Sequence, residues 1–130
     1  MKYQAKCRFT VILAAVLVMF SCLPATSAVG LTNLRCEYLK DPLGIEVTSP
    51  RLSWILTSDK RGQKQTAYHV LVASSESLLK QHKGDLWDTG KVLSDQSVLV
   101  AYQGTSLRSG QPCFWKVRVW DMDQKASGWS

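Results

Sequence analysis

The chain has 130 residues, with 16 Lys and Arg against 10 Asp and Glu and a formal charge of +6. That length suits one domain, and the bases are interspersed with acids, which excludes the clustered basic footprint of a nucleic-acid binder. Four cysteines and two histidines fall at spacings that form no close ligand set, so neither a metal site nor a cofactor is expected.

Residues 1–28 stand apart from the rest. Lys2, Lys6 and Arg8 make a basic start, and Phe9 to Phe20 is an apolar run broken only by Thr10. Pro24 ends the run, and Ala25-Thr-Ser-Ala28 offers small residues to a peptidase. A helix of that run reaches about 18 Å, short of a hydrocarbon core of about 30 Å. The pattern predicts a signal peptide over 1–28, export to the periplasm or the exterior, and no membrane span once it is removed. Met19-Phe-Ser-Cys22 loosely resembles a lipobox, so lipid anchoring at Cys22 is the alternative. Loss of Lys2, Lys6 and Arg8 lowers the charge from +6 to +3.

Beyond this leader, short runs of period two replace any long helical periodicity. Leu31 to Tyr38 alternates weakly, with Leu34, Cys36 and Tyr38 on one face. Lys40 to Gly44 reads as a turn around Pro42, and Ile45-Glu-Val47 as a short extended piece. Arg51 to Leu56 predicts a strand with Leu52, Trp54 and Leu56 on one side. Thr66 to Ala73 is the clearest strand, with Tyr68, Val70 and Val72 opposite Ala67, His69, Leu71 and Ala73. Ser74 and Ser75 are N-cap candidates for a helical turn over Glu76 to Gln81. Leu86 to Thr89 and Ser97 to Tyr102 predict short strands, and Gly104 to Gly110 a polar turn. Cys113 to Trp120 puts Cys113, Trp115, Val117 and Val119 on one face. Asp121 to Gly128 then reads as a connecting turn, and Trp129 as the opening of another strand.

Six or seven short strands separated by Gly and Pro turns predict an all-β, immunoglobulin or fibronectin type III-like β-sandwich over residues 29–130. The chain stops where a closing strand would begin, so the sandwich is expected to lack its last strand. A jelly roll is the competing fold. Cys36 and Cys113 permit one disulfide in an exported protein, with two buried free thiols as the other reading.

No catalytic constellation emerges. Asp121 and Asp123 fall in a turn, without the facing arrangement that glycoside hydrolysis demands. His69 lies within a strand and reads as structural, and His82 as solvent-facing at the end of the helical turn. Of the five tryptophans, Trp54 and Trp115 have core parity. Trp87 and Trp120 are the candidates for stacking a sugar or docking a neighbouring domain.

Leu34-Arg-Cys-Glu-Tyr-Leu-Lys-Asp-Pro-Leu-Gly-Ile-Glu-Val-Thr-Ser-Pro-Arg-Leu-Ser-Trp54 closely resembles the opening of bacterial α-L-rhamnosidases of glycoside hydrolase family 78. Gln65 to Ala73, Asp85 to Gly90, Trp115 to Asp121 and Ser127 to Ser130 extend that resemblance from about Leu31 to the last residue. It implies an N-terminal fibronectin III-like domain, followed in the parent protein by further β-domains and an (α/α)₆ barrel that carries the acidic residues for inverting hydrolysis of terminal α-L-rhamnose. No catalytic residue carries over, because the matching region is absent here. The implied role is a non-catalytic scaffold whose partners are the downstream domains of the same polypeptide. A carbohydrate-binding module for rhamnose-containing glycans and a free-standing extracellular interaction domain are the alternatives.

Overall fold

The computed structural model describes residues 29–130. The expected signal peptide and the Cys22 alternative lie outside the described residues.

Two three-stranded antiparallel sheets face each other. The first is ordered β1 (Val29–Cys36), β2 (Arg51–Ser58), β5 (Val100–Ala101), and the second β4 (Trp87–Asp88), β3 (Ala67–Ala73), β6 (Phe114–Trp120). One short helix, α1 (Glu76–Lys80), follows β3. Its start is capped as expected, with the Leu78 amide donating to Ser75 Oγ at 3.3 Å. Among the described residues no helix is long and apolar enough to cross a membrane. The all-β sandwich expected from the strand pattern is the fold observed.

The alternation of β2, β3 and β6 explains the layer between the sheets. Leu52 and Trp54 face Tyr68, Val70, Val72, Val117 and Val119, with Val100 and Tyr102 completing the core. Trp54 is 1% exposed and meets Tyr68 edge to face at 5.5 Å between centroids. Its indole N–H donates to Gln65 Oε1 at 2.9 Å, which satisfies the one polar atom the ring brings into the core.

The central strand β3 is buried on both faces, since Ala67, Leu71 and Ala73 on the outer side are as enclosed as Val70 on the inner side. The segment after α1 supplies part of that cover. Gly84 lies so close that a Cβ there would meet Leu71 Cδ2 at 3.0 Å and Trp87 O at 2.4 Å.

Three sequence expectations are corrected. Ile45–Val47 forms no strand and belongs to an irregular connection. Leu34 and Cys36 pack against the core as expected, but the face does not extend to Tyr38, which is exposed. Asn33 takes φ 50°, the pairing with β2 shifts between Thr32 and Arg35, and Glu37 and Tyr38 also turn left-handed at φ 48° and 66°. A bidentate ion pair from Arg51 to Glu37, 2.8 Å at its shortest side-chain contact, holds that turn against β2. Cys113 precedes β6 and is exposed, so the inward parity of Val117 and Val119 does not extend back to it.

Candidate interaction surface

The outer face of the second sheet concentrates the aromatic and basic residues. On β6, Lys116, Arg118 and Trp120 alternate with the buried Val117 and Val119, so all three project away from the core. His69 of β3 is paired in register with Arg118.

Two turns bring further residues onto this face. Asp88 accepts from the Gly90 amide at 2.9 Å and contacts His69 Nε2 at 2.7 Å. Gly90 turns at φ 60°, and the chain then rejoins β3 through reciprocal bonds between Tyr68 and Val92. Lys91, held between these points, reaches over the Trp120 ring at 4.6 Å from its centroid.

The second turn begins at Asp121, which is 1% exposed. Its Oδ1 accepts from the amides of Asp123 and Lys125, both at 2.9 Å, and its carbonyl accepts from the Gln124 amide at 3.1 Å, so side chain and backbone close the turn together. Residues 126–130 are thereby folded back along β6. Ala126 bridges Trp120, and the amides of Ser127 and Ser130 donate to the carbonyls of Val119 and Val117 at 2.7 and 3.0 Å. The same two serines accept from the Val119 and Val117 amides through their hydroxyl oxygens, at 3.0 and 3.1 Å. Trp129 is thus fixed over the sheet.

The result is a ladder of cations and rings. Arg118 Cζ lies 5.0 Å from the Trp120 centroid and 4.7 Å from that of Trp129. Lys116 Nζ lies 4.9 Å from Trp129. His69 meets Trp129 edge-on at 5.1 Å, and His82 meets it at 5.6 Å with the planes tilted by 33°. Each cation–ring contact of this kind contributes about 0.5–2 kcal/mol, more where water is excluded. Lys116 is 7% exposed, and burial pushes its ammonium below the ordinary lysine range. It donates to Leu79 O and to His82 Nδ1, which therefore carries a lone pair.

The residues singled out from the sequence separate. Trp120 is in the ladder. Trp87 is half-buried, packs against the core and meets Tyr102 edge-on at 5.2 Å, apart from the ladder. The pairing of Cys36 with Cys113 is absent, since both thiols are free. Cys113 contacts Gln111 O at 3.6 Å, while Cys36 closes β1 in the other sheet with its thiol pushed up to about 11, chiefly by burial. Nor are both thiols buried, because Cys113 is exposed. Asp121 and Asp123 serve their own turn, His82 is exposed, and His69 is held by Asp88. Sequence reasoning missed Lys91, Lys116, Arg118 and Trp129 as a set. The parity of β6 was the available signal for two of them.

Sheet order, core and folded-back edge define an immunoglobulin-like β-sandwich domain. The profile of the Rha78A-like, N-terminal immunoglobulin domain matches residues 31–130, and the chain belongs to that family. It is 49% identical over 104 residues to an α-L-rhamnosidase of Streptomyces avermitilis, covering 80% of this chain and 10% of that protein. It is 37% identical over 133 residues to an α-L-rhamnosidase of Formosa agariphila, covering 100% and 14%. Among solved structures, the Streptomyces avermitilis α-L-rhamnosidase complexed with L-rhamnose superposes with a TM-score of 0.75 at 50% identity, over 79% of this chain and 10% of that one. The α-L-rhamnosidase from Dictyoglumus thermophilum gives the same TM-score at 42% identity, over 77% and 11%. The chain therefore spans about a tenth of the length of these relatives.

Proposed function

We propose that this chain is the non-catalytic N-terminal domain of an exported α-L-rhamnosidase and acts as a scaffold for the domains that follow it. The parent enzyme would release terminal α-L-rhamnose from glycosides or polysaccharides outside the cytoplasm, with residues 1–28 directing export. The observation that carries this reading is the extent of the match. Nearly the whole described sandwich aligns with rhamnosidases, yet it accounts for only about a tenth of each. Of the two acids closest in sequence, Asp121 binds turn amides through its carboxylate and Asp123 pairs with Lys60, which supports a structural role for them.

Assay of an aryl α-L-rhamnoside tests the proposal. The purified 130-residue chain is expected to give no turnover, whereas the longer polypeptide cleaves the substrate and loses thermal stability when residues 29–130 are deleted. Cleavage by the chain alone would overturn the non-catalytic assignment. Unchanged stability after deletion would overturn the scaffold role. Tryptophan fluorescence during a rhamnose titration to millimolar concentration is expected to stay flat, and a saturable change would favour a carbohydrate-binding module instead.

A further inference from the structure

We infer that the Lys91–Trp120–Arg118–Trp129 ladder, backed by the buried Lys116, is a docking surface for an acidic polypeptide face, supplied by the downstream domains of the parent protein. The inference rests on the scaffold reading above and assigns its contact surface.

Charge is the first argument. The ion pairs among the described residues are Arg51–Glu37, Lys60–Asp123, His69–Asp88 and Lys80–Glu76. None uses Lys91, Lys116 or Arg118, so no carboxylate pairs with the three cations. Asp88, which lies on the same face, is engaged by His69 and the Gly90 amide. Lys116 and Lys91 meet only neutral acceptors, Leu79 O and His82 Nδ1 for the first and Gln124 Oε1 at 3.5 Å for the second.

Arg118 gives the second argument. Its Nε is buried and has no hydrogen-bond partner among the described residues. The guanidinium carbon lies 5.0 Å from the Trp120 centroid and 4.7 Å from that of Trp129, so the group is placed by two rings and not by a carboxylate.

Position is the third. Ser130 is bonded through both its amide and its hydroxyl to Val117, beside Trp129. The last five residues are thereby held alongside the ladder. A polypeptide surface also suits the ladder better than a sugar does. Lys91, Arg118 and Lys116 stand 4.6–5.0 Å from the ring centroids, where a pyranose would have to stack.

Zero-length carbodiimide coupling of the longer polypeptide, mapped by mass spectrometry, tests this directly. The expected product is an amide between Lys91 Nζ, which is exposed, and an Asp or Glu beyond residue 130. Its yield should fall several-fold when about 1 M NaCl is present during coupling, because screening shortens the reach of surface charge to about 3 Å. Links to downstream acids that involve Lys40, Lys60 or Lys64 but not Lys91 would overturn the assigned surface and leave the scaffold reading standing. Absence of any link from residues 29–130 to downstream sequence would overturn both. Protection of Lys91 from acetylation only on adding polygalacturonate would overturn the polypeptide partner in favour of an acidic glycan.

Discussion

The side chain of Gln65 joins Trp54 to the loop that leads into β5. Its Oε1 accepts from Trp54 Nε1 at 2.9 Å while its Nε2 donates to the carbonyls of Ser94 and Gln96 at 3.0 and 2.8 Å. Gln65 is 4% exposed. Gln65→Leu removes the acceptor and leaves a buried indole N–H and two carbonyls to find others. A loss of about 2–3 kcal/mol is expected, read from urea denaturation with near-UV circular dichroism following Trp54.

Trp129 roofs the outer face of β3 and receives two cations. Trp129→Ala is expected to cost about 2–3 kcal/mol, from lost packing and lost cation–ring contacts together. Trp129→Phe keeps a ring of smaller area and weaker quadrupole and should cost about half as much. Equal stability of the three proteins in chemical denaturation would show that the ladder adds nothing to the fold.

Ser127 is 6% exposed and accepts from the Val119 amide at 3.0 Å. Ser127→Ala should destabilise the sandwich by about 1–2 kcal/mol. Hydrogen exchange provides a sharper reading, since the Val119 amide should lose protection before that of Val70 at the centre of the sheet.

Acid stability should depend on Asp85. Hydrogen bonds from the Ser74 hydroxyl and amide hold its carboxyl below the ordinary aspartate range. A carboxylate whose folded value lies below its unfolded one contributes stability above the unfolded value, and that contribution is lost as pH falls through the folded value. Thermal melts between pH 7 and pH 2 are therefore expected to fall below about pH 4, and Asp85→Asn should flatten part of that limb.

The two thiols should react at different rates. Burial pushes Cys36 up to about 11, whereas Cys113 is exposed although its thiol is also raised, mainly by partial burial. Iodoacetamide at pH 8 is expected to modify Cys113 well before Cys36, as followed by intact mass and peptide mapping. Comparable rates would mean that the end of β1 opens readily.

Much of this architecture was legible in the sequence because the strands obey simple parity. Leu52 and Trp54, then Tyr68, Val70 and Val72, then Val117 and Val119, each take the inward positions that alternation assigns. What escaped depends on backbone departures or on long-range register. No pattern of apolar residues announces the left-handed Asn33 that breaks β1. Period two also carried the inward face back to Cys113, since alternation begins in the sequence before the strand itself does. Trp120 was visible as an outward aromatic, but its companions were not. Lys91 arrives through the Gly90 turn and Trp129 through the Asp121 turn, and each lands beside β6 only because those turns set the register.

The doubled use of Ser127 and Ser130 has a consequence for self-association. A bare sheet edge is a template on which a second molecule can add its own strand, and repetition of that step yields fibrils. Along β6 the outward amides of Val117 and Val119 are consumed by hydroxyl groups and their carbonyls by the serine amides. A hydroxyl satisfies the donor it caps but offers no new row of peptide groups to an incoming chain. Residues 126–130 and their two serine hydroxyls thus cover the β6 edge among the described residues, which removes the peptide groups of Val117 and Val119 as a template for another molecule.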